Sequence, residues 1–215
     1  MMRKLMFVLA AVALVACSGS KQESQAKPTV GGQTDGAKNV KSANASKKKN
    51  VKPDSVAYFA GGCFWGVEHY LEKMAGVADV DSGYMGGKTK SPTYEQVSSK
   101  KSGHIEAVRV RYDSKLVSYE ALAKMFFEIH DPTQANGQGP DIGPQYLSVV
   151  FYNNDAEKKT TQGLIARLAK RGYKVVTRLD KAGPFWPAED YHQDYYARTG
   201  KKPYCHARVR RFGPK

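Results

Sequence analysis

Cys63 lies in the run Gly61-Gly62-Cys63-Phe64-Trp65-Gly66, between a β-rich segment, Val56-Ala57-Tyr58-Phe59-Ala60, and a stretch of helical periodicity. Phe64, Val67, Leu71 and Met74 fall on one side of a 3.6-residue repeat, which predicts an amphipathic helix over 64–75 that begins at the cysteine. Unpaired N–H groups and the positive end of the dipole favour a thiolate there. The flanking glycines allow close approach to the backbone. The segment is suited to a sulfur nucleophile. A carboxyl that could work beside it is Glu106, which shares strand parity with Val108, Val110 and Tyr112 while Arg109 and Arg111 point the other way. In register with an apolar face it should be desolvated, which raises its pKa and keeps a proton to donate. The plainer reading is a strand-end glutamate that reaches water. Cys205 lies 142 residues beyond Cys63. A structural disulfide closing so long a loop would stabilise by roughly 5 kcal/mol in the entropic model. An inert bridge, however, needs neither the Gly-Gly before Cys63 nor the Phe-Trp after it.

The elements that would position these groups run strand 56–60, helix 64–75, strand 77–84, strand 105–112, helix 118–130 and strand 146–152. This βαββαβ order predicts an α+β fold, a ferredoxin-like two-layer α/β sandwich. Ser118 is a candidate N-cap, and Asp131-Pro132 ends that helix. A C-terminal extension follows: helix 155–171 with a capping-box-like start at Asn154 and Glu157, strand 173–179, and a helix around 188–198 ending at Gly200. Residues 200–215 read as a basic, irregular and mobile tail.

Further motifs accompany the hexapeptide: Gly83-Tyr84-Met85-Gly86-Gly87, Pro92-Thr93-Tyr94, Gly103-His104-Ile105-Glu106-Ala107-Val108, Asp141-Ile142-Gly143-Pro144-Gln145-Tyr146 and Pro187-Ala188-Glu189-Asp190-Tyr191-His192-Gln193. With them, the segment from about 56 to 212 resembles the A-type peptide methionine sulfoxide reductases. The resemblance implies reduction of the S-epimer of methionine sulfoxide, with Cys63 as nucleophile and Glu106 as proton donor. Tyr94 and Tyr146 would bind the sulfoxide oxygen, Asp141 would belong to the same site, and Phe64 and Trp65 would form the methyl pocket. Cys205 would resolve a Cys63 sulfenic acid to a disulfide, which a thioredoxin-like dithiol reduces. No bound cofactor is implied. Pro140 stands where the family usually has asparagine, and Pro144 and Leu147 where threonine and arginine are common, so the loop around Asp141 should differ in shape.

The ends of the chain point to export. Arg3 and Lys4 precede a 12-residue apolar run, Leu5 to Ala16, too short to span a bilayer. The run ends Leu14-Val15-Ala16-Cys17, which resembles a bacterial lipobox; residues 1–16 would be the signal peptide and Cys17 the lipidated residue. Ordinary secretory cleavage is the alternative. Residues 17–54 then form a tether, its span after Cys17 holding eight lysines, three acidic residues and no aromatic. A coil of that length averages roughly 35 Å end to end. Residues 55–215 would be a catalytic domain held outside the cytoplasm, on the outer membrane in a cell with two membranes.

The net charge of +14 comes with no nucleic-acid-binding motif, so no nucleic acid is expected. Cys63, Cys205, His192 and His206 have no metal-ligand spacing, and adjacent Cys205 and His206 would have to splay apart; no metal site is expected. Two other functions fit parts of the pattern. One is a thiol–disulfide oxidoreductase or peroxidase, which would lack the usual CxxC; the other is a peptide-binding lipoprotein indifferent to Cys63→Ser.

Overall fold

The computed structural model describes residues 50–213. The proposed signal peptide, Cys17 and nearly all of the tether lie outside these residues. In chain order the elements are β1 (Ser55–Gly61), α1 (Phe64–Leu71), β2 (Val77–Met85), α2 (Tyr94–Ser98), β3 (Ile105–Tyr112), α3 (Tyr119–Ile129), β4 (Gly137–Gln138), β5 (Asp141–Ile142), β6 (Ser148–Tyr152), α4 (Asp155–Ala169), β7 (Arg178–Lys181), β8 (Trp186–Pro187) and α5 (Tyr195–Thr199). Six strands form one sheet in the order β7-β6-β1-β3-β2-β8. Its middle is the split βαββαβ arrangement expected: β1 pairs antiparallel with both β3 and β6, and β2 pairs antiparallel with β3. β7 adds parallel to β6 and β8 antiparallel to β2.

Side-chain alternation explains why the sheet has a heavy and a light face. Phe59, Val108 and Val110 point into the main core with Phe64, Val67 and Leu71 of α1 and Leu122, Phe126 and Ile129 of α3. Phe59 stacks on Phe126 with ring centroids 5.0 Å apart. Each large side chain buried in this way contributes roughly 1.5–3 kcal/mol. Ala60, Met85, Ile105, Ala107, Val149 and Phe151 face the other way, into a smaller core. Arg109 and Arg111 are on that side too, paired with Asp81 and Asp79. The parity predicted for β3 is the parity observed.

Local signals fixed several ends. Ser118 accepts from the Ala121 N–H, and Asn154 from the Glu157 N–H. The Glu157 carboxylate reaches back to the Asn153 N–H at 2.7 Å, one residue earlier than a standard capping box. Asp54, assigned to the tether by composition, belongs to the domain: its N–H donates to Tyr112 O and its carboxylate accepts from Ser114.

Other expectations are corrected. The first helix stops at Leu71, where the chain turns through Gly76 at φ +86°. Residues 144–146 form a 3-10 turn, so the strand predicted from 146 begins at 148. The strand predicted over 173–179 pairs only from Arg178, because Val149–Tyr152 offer their free edge to 178–181. The helix predicted over 188–198 is a 3-10 turn, Asp190–His192, followed by the short α5. Gln193 interrupts it: its side-chain amide accepts from Ser82 N–H and donates to Ser82 O, tying the segment to β2. Asp194 then adopts φ +53°. α2 was not anticipated, although Thr93 and Gln96 form a reciprocal capping box.

The tail is irregular as expected, yet it is anchored rather than loose. The last carbonyls of α3 lack helical partners, and the tail supplies them: Val209 N–H donates to Glu128 O at 2.7 Å and Arg211 to Phe127 O at 2.9 Å. Arg208 pairs with the Glu128 carboxylate. Arg171 donates to the carbonyls of Arg211 and Gly213. The basic residues of the tail fasten it to the end of a helix.

Candidate active site

Cys63 caps the N-terminus of α1 and is 6% exposed. The next amide, Phe64 N–H, donates to Glu106 Oε2 at 3.2 Å. Glu106 is 3% exposed, opposite Tyr84 in the β2–β3 ladder. Strand parity and the start of the helix thus bring thiol and carboxyl together, as read from the sequence. The tail brings the second thiol: Cys63 and Cys205 are hydrogen-bonded to each other, both reduced.

The helix end does not make Cys63 the more acidic thiol. Cys63 donates to the Cys205 sulfur; that bond, then burial and the neighbouring Glu106 carboxylate, push the Cys63 thiol up. The Trp65 N–H pulls the other way and is the smallest of these influences, so the helix terminus loses to tertiary contacts. Cys205 is pulled down to about 6, first by the bond from Cys63 and then by His206, against its own burial. With the tail docked, Cys205 is the more acidic of the two thiols.

Around the thiols the predicted polar groups converge. The Tyr146 hydroxyl is pushed up by burial and then by Glu106, Tyr94, Asp141 and Cys63, all close enough to act on it. Asp141, in the β4–β5 hairpin, accepts from the Tyr204 hydroxyl at 2.8 Å and 3.0 Å through its two oxygens. Tyr94 opens α2, and its N–H donates to Glu189 Oε1 at 2.8 Å. Phe64 is 1% exposed, a core residue whose ring lies 5.9 Å from Tyr84 and 5.0 Å from His192. Trp65 is half-buried; it stacks on Tyr195 at 3.7 Å and donates its indole N–H to His192 Nδ1 at 3.1 Å. A soft nucleophile, a buried carboxyl, two tyrosines and an aromatic wall thus meet at one helix end. Such a set can attack an electrophilic sulfur and protonate its oxygen.

A family model, Peptide methionine sulfoxide reductase, matches residues 55–214. The chain belongs to this family. It is 46% identical over 165 residues to Peptide methionine sulfoxide reductase MsrA 1 of Rhodopirellula baltica, covering 74% of this chain and 85% of that one. It is 43% identical to the MsrA of Thermus thermophilus, covering 71% and 88%. Among solved structures it is similar to reduced Mxr1 of Saccharomyces cerevisiae, with a TM-score of 0.67 and 32% identity over 74% of this chain and 97% of that one. The family is one of oxidoreductases, and the expected α+β sandwich holds.

Sequence reasoning left several residues of the site without roles. Glu189 ties two tyrosines together, accepting from Tyr84 OH at 2.8 Å as well as from Tyr94 N–H. His192 is 2% exposed and sits between Phe64, Trp65 and Tyr94. Gln138 accepts from Asp131 N–H and donates to Cys205 O at 3.1 Å. Glu189, His192 and Gln193 all fall in one quoted motif, so the signal was present. What was missing was the knowledge that this segment folds back on β2.

Proposed function

We propose that this family member reduces the S-epimer of free or protein-bound methionine sulfoxide. The Cys63 sulfur attacks the sulfoxide sulfur, Glu106 protonates the departing oxygen, and methionine leaves with Cys63 as a sulfenic acid. Tyr94 and Tyr146 hold the sulfoxide oxygen, and Trp65, with Phe64 behind it, walls the methyl group. Cys205 then forms a disulfide with Cys63, releasing water, and a thioredoxin-like dithiol restores both thiols. The reading is carried by one observation above the rest: Glu106 and Cys205 both contact the residues that start α1. The pocket lined by Cys205, Gln138 and Pro140 gives an outside thiol an approach to Cys205. The lipobox-like Leu14-Val15-Ala16-Cys17 and the lysine-rich stretch after it support a lipid-anchored enzyme outside the cytoplasm that repairs envelope proteins.

Resolved methionine sulfoxide epimers and a dithiol test the reaction. Only the S-epimer should be reduced, and Cys63→Ser should abolish turnover. Glu106→Gln, which still accepts from Phe64 N–H, should lower kcat by about 10²–10⁴; a loss below threefold would remove Glu106 as the proton donor. Cys205→Ser should release one methionine per enzyme and then stall with a thioredoxin-like donor. Acyl labelling of Cys17, absent in Cys17→Ser, tests the anchor.

A further inference from the structure

His206 follows Cys205 directly, and its ring turns back onto the neighbouring sulfur: Nδ1 lies 3.0 Å from Cys205 Sγ. The other ring nitrogen, Nε2, lies 2.7 Å from Gly61 O. A carbonyl can only accept, so Nε2 carries a hydrogen. In the neutral ring, Nδ1 is then a bare lone pair aimed at the sulfur. His206 is 4% exposed and Cys205 is 7% exposed, so the contact is largely shielded from bulk water. The space is built for the ring. A Cβ on Gly66 would stand 2.1 Å from His206 Nδ1, and one on Gly62 would stand 3.4 Å from His206 Cε1.

We propose that His206 is the proton acceptor that arms Cys205 for its attack on oxidised Cys63. The inference rests on the reading of Cys205 as the resolving cysteine. The Cys205 S–H proton passes to His206 Nδ1. The Cys205 sulfur attacks the Cys63 sulfenic sulfur, and the S–S bond forms as the S–O bond breaks. The leaving hydroxide takes up one proton and departs as water, so His206 ends neutral. Cys205 is oxidised as Cys63 is reduced, and no outside electrons enter. In the reduced pair Cys205 also accepts the Cys63 thiol hydrogen. Once Cys63 is a sulfenic acid that thiol hydrogen is gone, and the His206 contact is the one that remains.

Other titratable groups face the pair. Cys63 and Glu106 lie on the α1 side, Tyr70 OH is 3.5 Å from His206 O, and Asp141 comes from β5. Tyr196 of α5, Tyr204 of the tail and His130 at the end of α3 face it too, and Asp131 and Arg211 line the same pocket as Cys205 and His206. Both Asp141 oxygens already accept from the Tyr204 hydroxyl, and both His130 ring nitrogens are engaged, one with Phe126 O and one with Ser148 Oγ. Neither can supply the base.

The test uses the full chain in a Cys17→Ser background, where Cys63 and Cys205 are the remaining two of three cysteines. One equivalent of methionine S-sulfoxide is added without reductant. Methionine release, sulfenic acid trapped by dimedone, and disulfide are followed from pH 5.5 to 9. His206→Gln keeps an N–H for Gly61 O but has no base at the sulfur. Its disulfide formation, relative to methionine release, should slow at least tenfold at pH 7 and recover towards pH 9. His206→Ala should be rescued by added imidazole. Wild-type rate and pH profile in His206→Gln would overturn the proposal. So would a loss equal at every pH without imidazole rescue, which marks a merely structural anchor. If Cys205→Ser fails to accumulate sulfenic acid, the resolving role itself falls, and the inference with it. Sulfenic acid persisting in Cys205→Ser but not in His206→Gln removes His206 alone.

Discussion

Gly66→Ala adds one methyl group to α1 where the tail crosses it. At an open helix position the change is favourable, since alanine gains about 1 kcal/mol over glycine. Gly163 in α4 is such a position, with nothing within 4 Å of an added Cβ. At Gly66 the same atom would stand 2.1 Å from His206 Nδ1, 2.6 Å from Cγ and 2.8 Å from Cε1. The ring cannot swing clear without giving up its bond to Gly61 O. Overpacking costs about 1–3 kcal/mol and the lost hydrogen bond about 1 kcal/mol, which together exceed the helical gain of about 1 kcal/mol. Gly66→Ala should therefore lower stability by about 1–3 kcal/mol, while Gly163→Ala raises it by up to about 1 kcal/mol. Urea unfolding of the reduced protein measures both, and the thermal midpoint should follow by about 2–4 °C per kcal/mol. Adding His206→Ala to Gly66→Ala should recover part of the loss, because the two changes share one contact. If Gly66→Ala stabilises as Gly163→Ala does, the ring does not lie on α1 in solution, and the built space for His206 is refuted.

Two further outcomes follow from buried groups near the site. Burial, with Asp194 and Glu72 adding their charge, raises the Glu68 carboxyl from 4.5 to about 8. The folded protein therefore keeps a proton that the unfolded chain releases, so this stability is whole below pH 4.5 and lost as pH rises to about 8. Glu68→Gln should remove that slope, gaining up to a few kcal/mol on wild type at pH 8 relative to pH 5; parallel stability–pH curves would refute it. Tyr84→Phe deletes the hydroxyl that donates to Glu189 at 2.8 Å. It should cost about 1.5–3 kcal/mol with an unchanged urea m-value, as expected for a hydrogen bond to a charged group. A neutral result would mean that Glu189 does not hold Tyr84 and Tyr94 together.

What could be read from the sequence was what short-range physics decides. Glu106 was placed on the core face by the parity of Val108, Val110 and Tyr112, and it is there. Ser118 and Asn154 cap the helices they precede. The βαββαβ order gave the middle of the sheet because each strand's neighbours follow from that connectivity. Failures came where a distant side chain outvoted a local preference. The helical pattern over 188–198 is broken by Gln193 bonding to Ser82, 111 residues away. The strand-like run from Tyr173 stays unpaired until Arg178, since Val176 N–H goes instead to Pro132 O.

The two thiols show the same conflict at the level of charge. A cysteine at a helix N-terminus is a sound local argument for a thiolate, and the Trp65 N–H does act in that direction. It is outweighed because the tail delivers a second sulfur with its own imidazole, giving the proton a better place on Cys63 and the charge a better place on Cys205. The adjacency of Cys205 and His206 was visible, but in sequence it raised only the question of a shared metal, for which the side chains would have to splay. In the fold they turn toward each other, and the contact depends on Gly66 leaving room and on Gly61 offering a carbonyl. Both glycines belong to the hexapeptide that marked Cys63. Its small residues therefore do more than expose the nucleophile: they form the seat on which the other half of the redox pair is held.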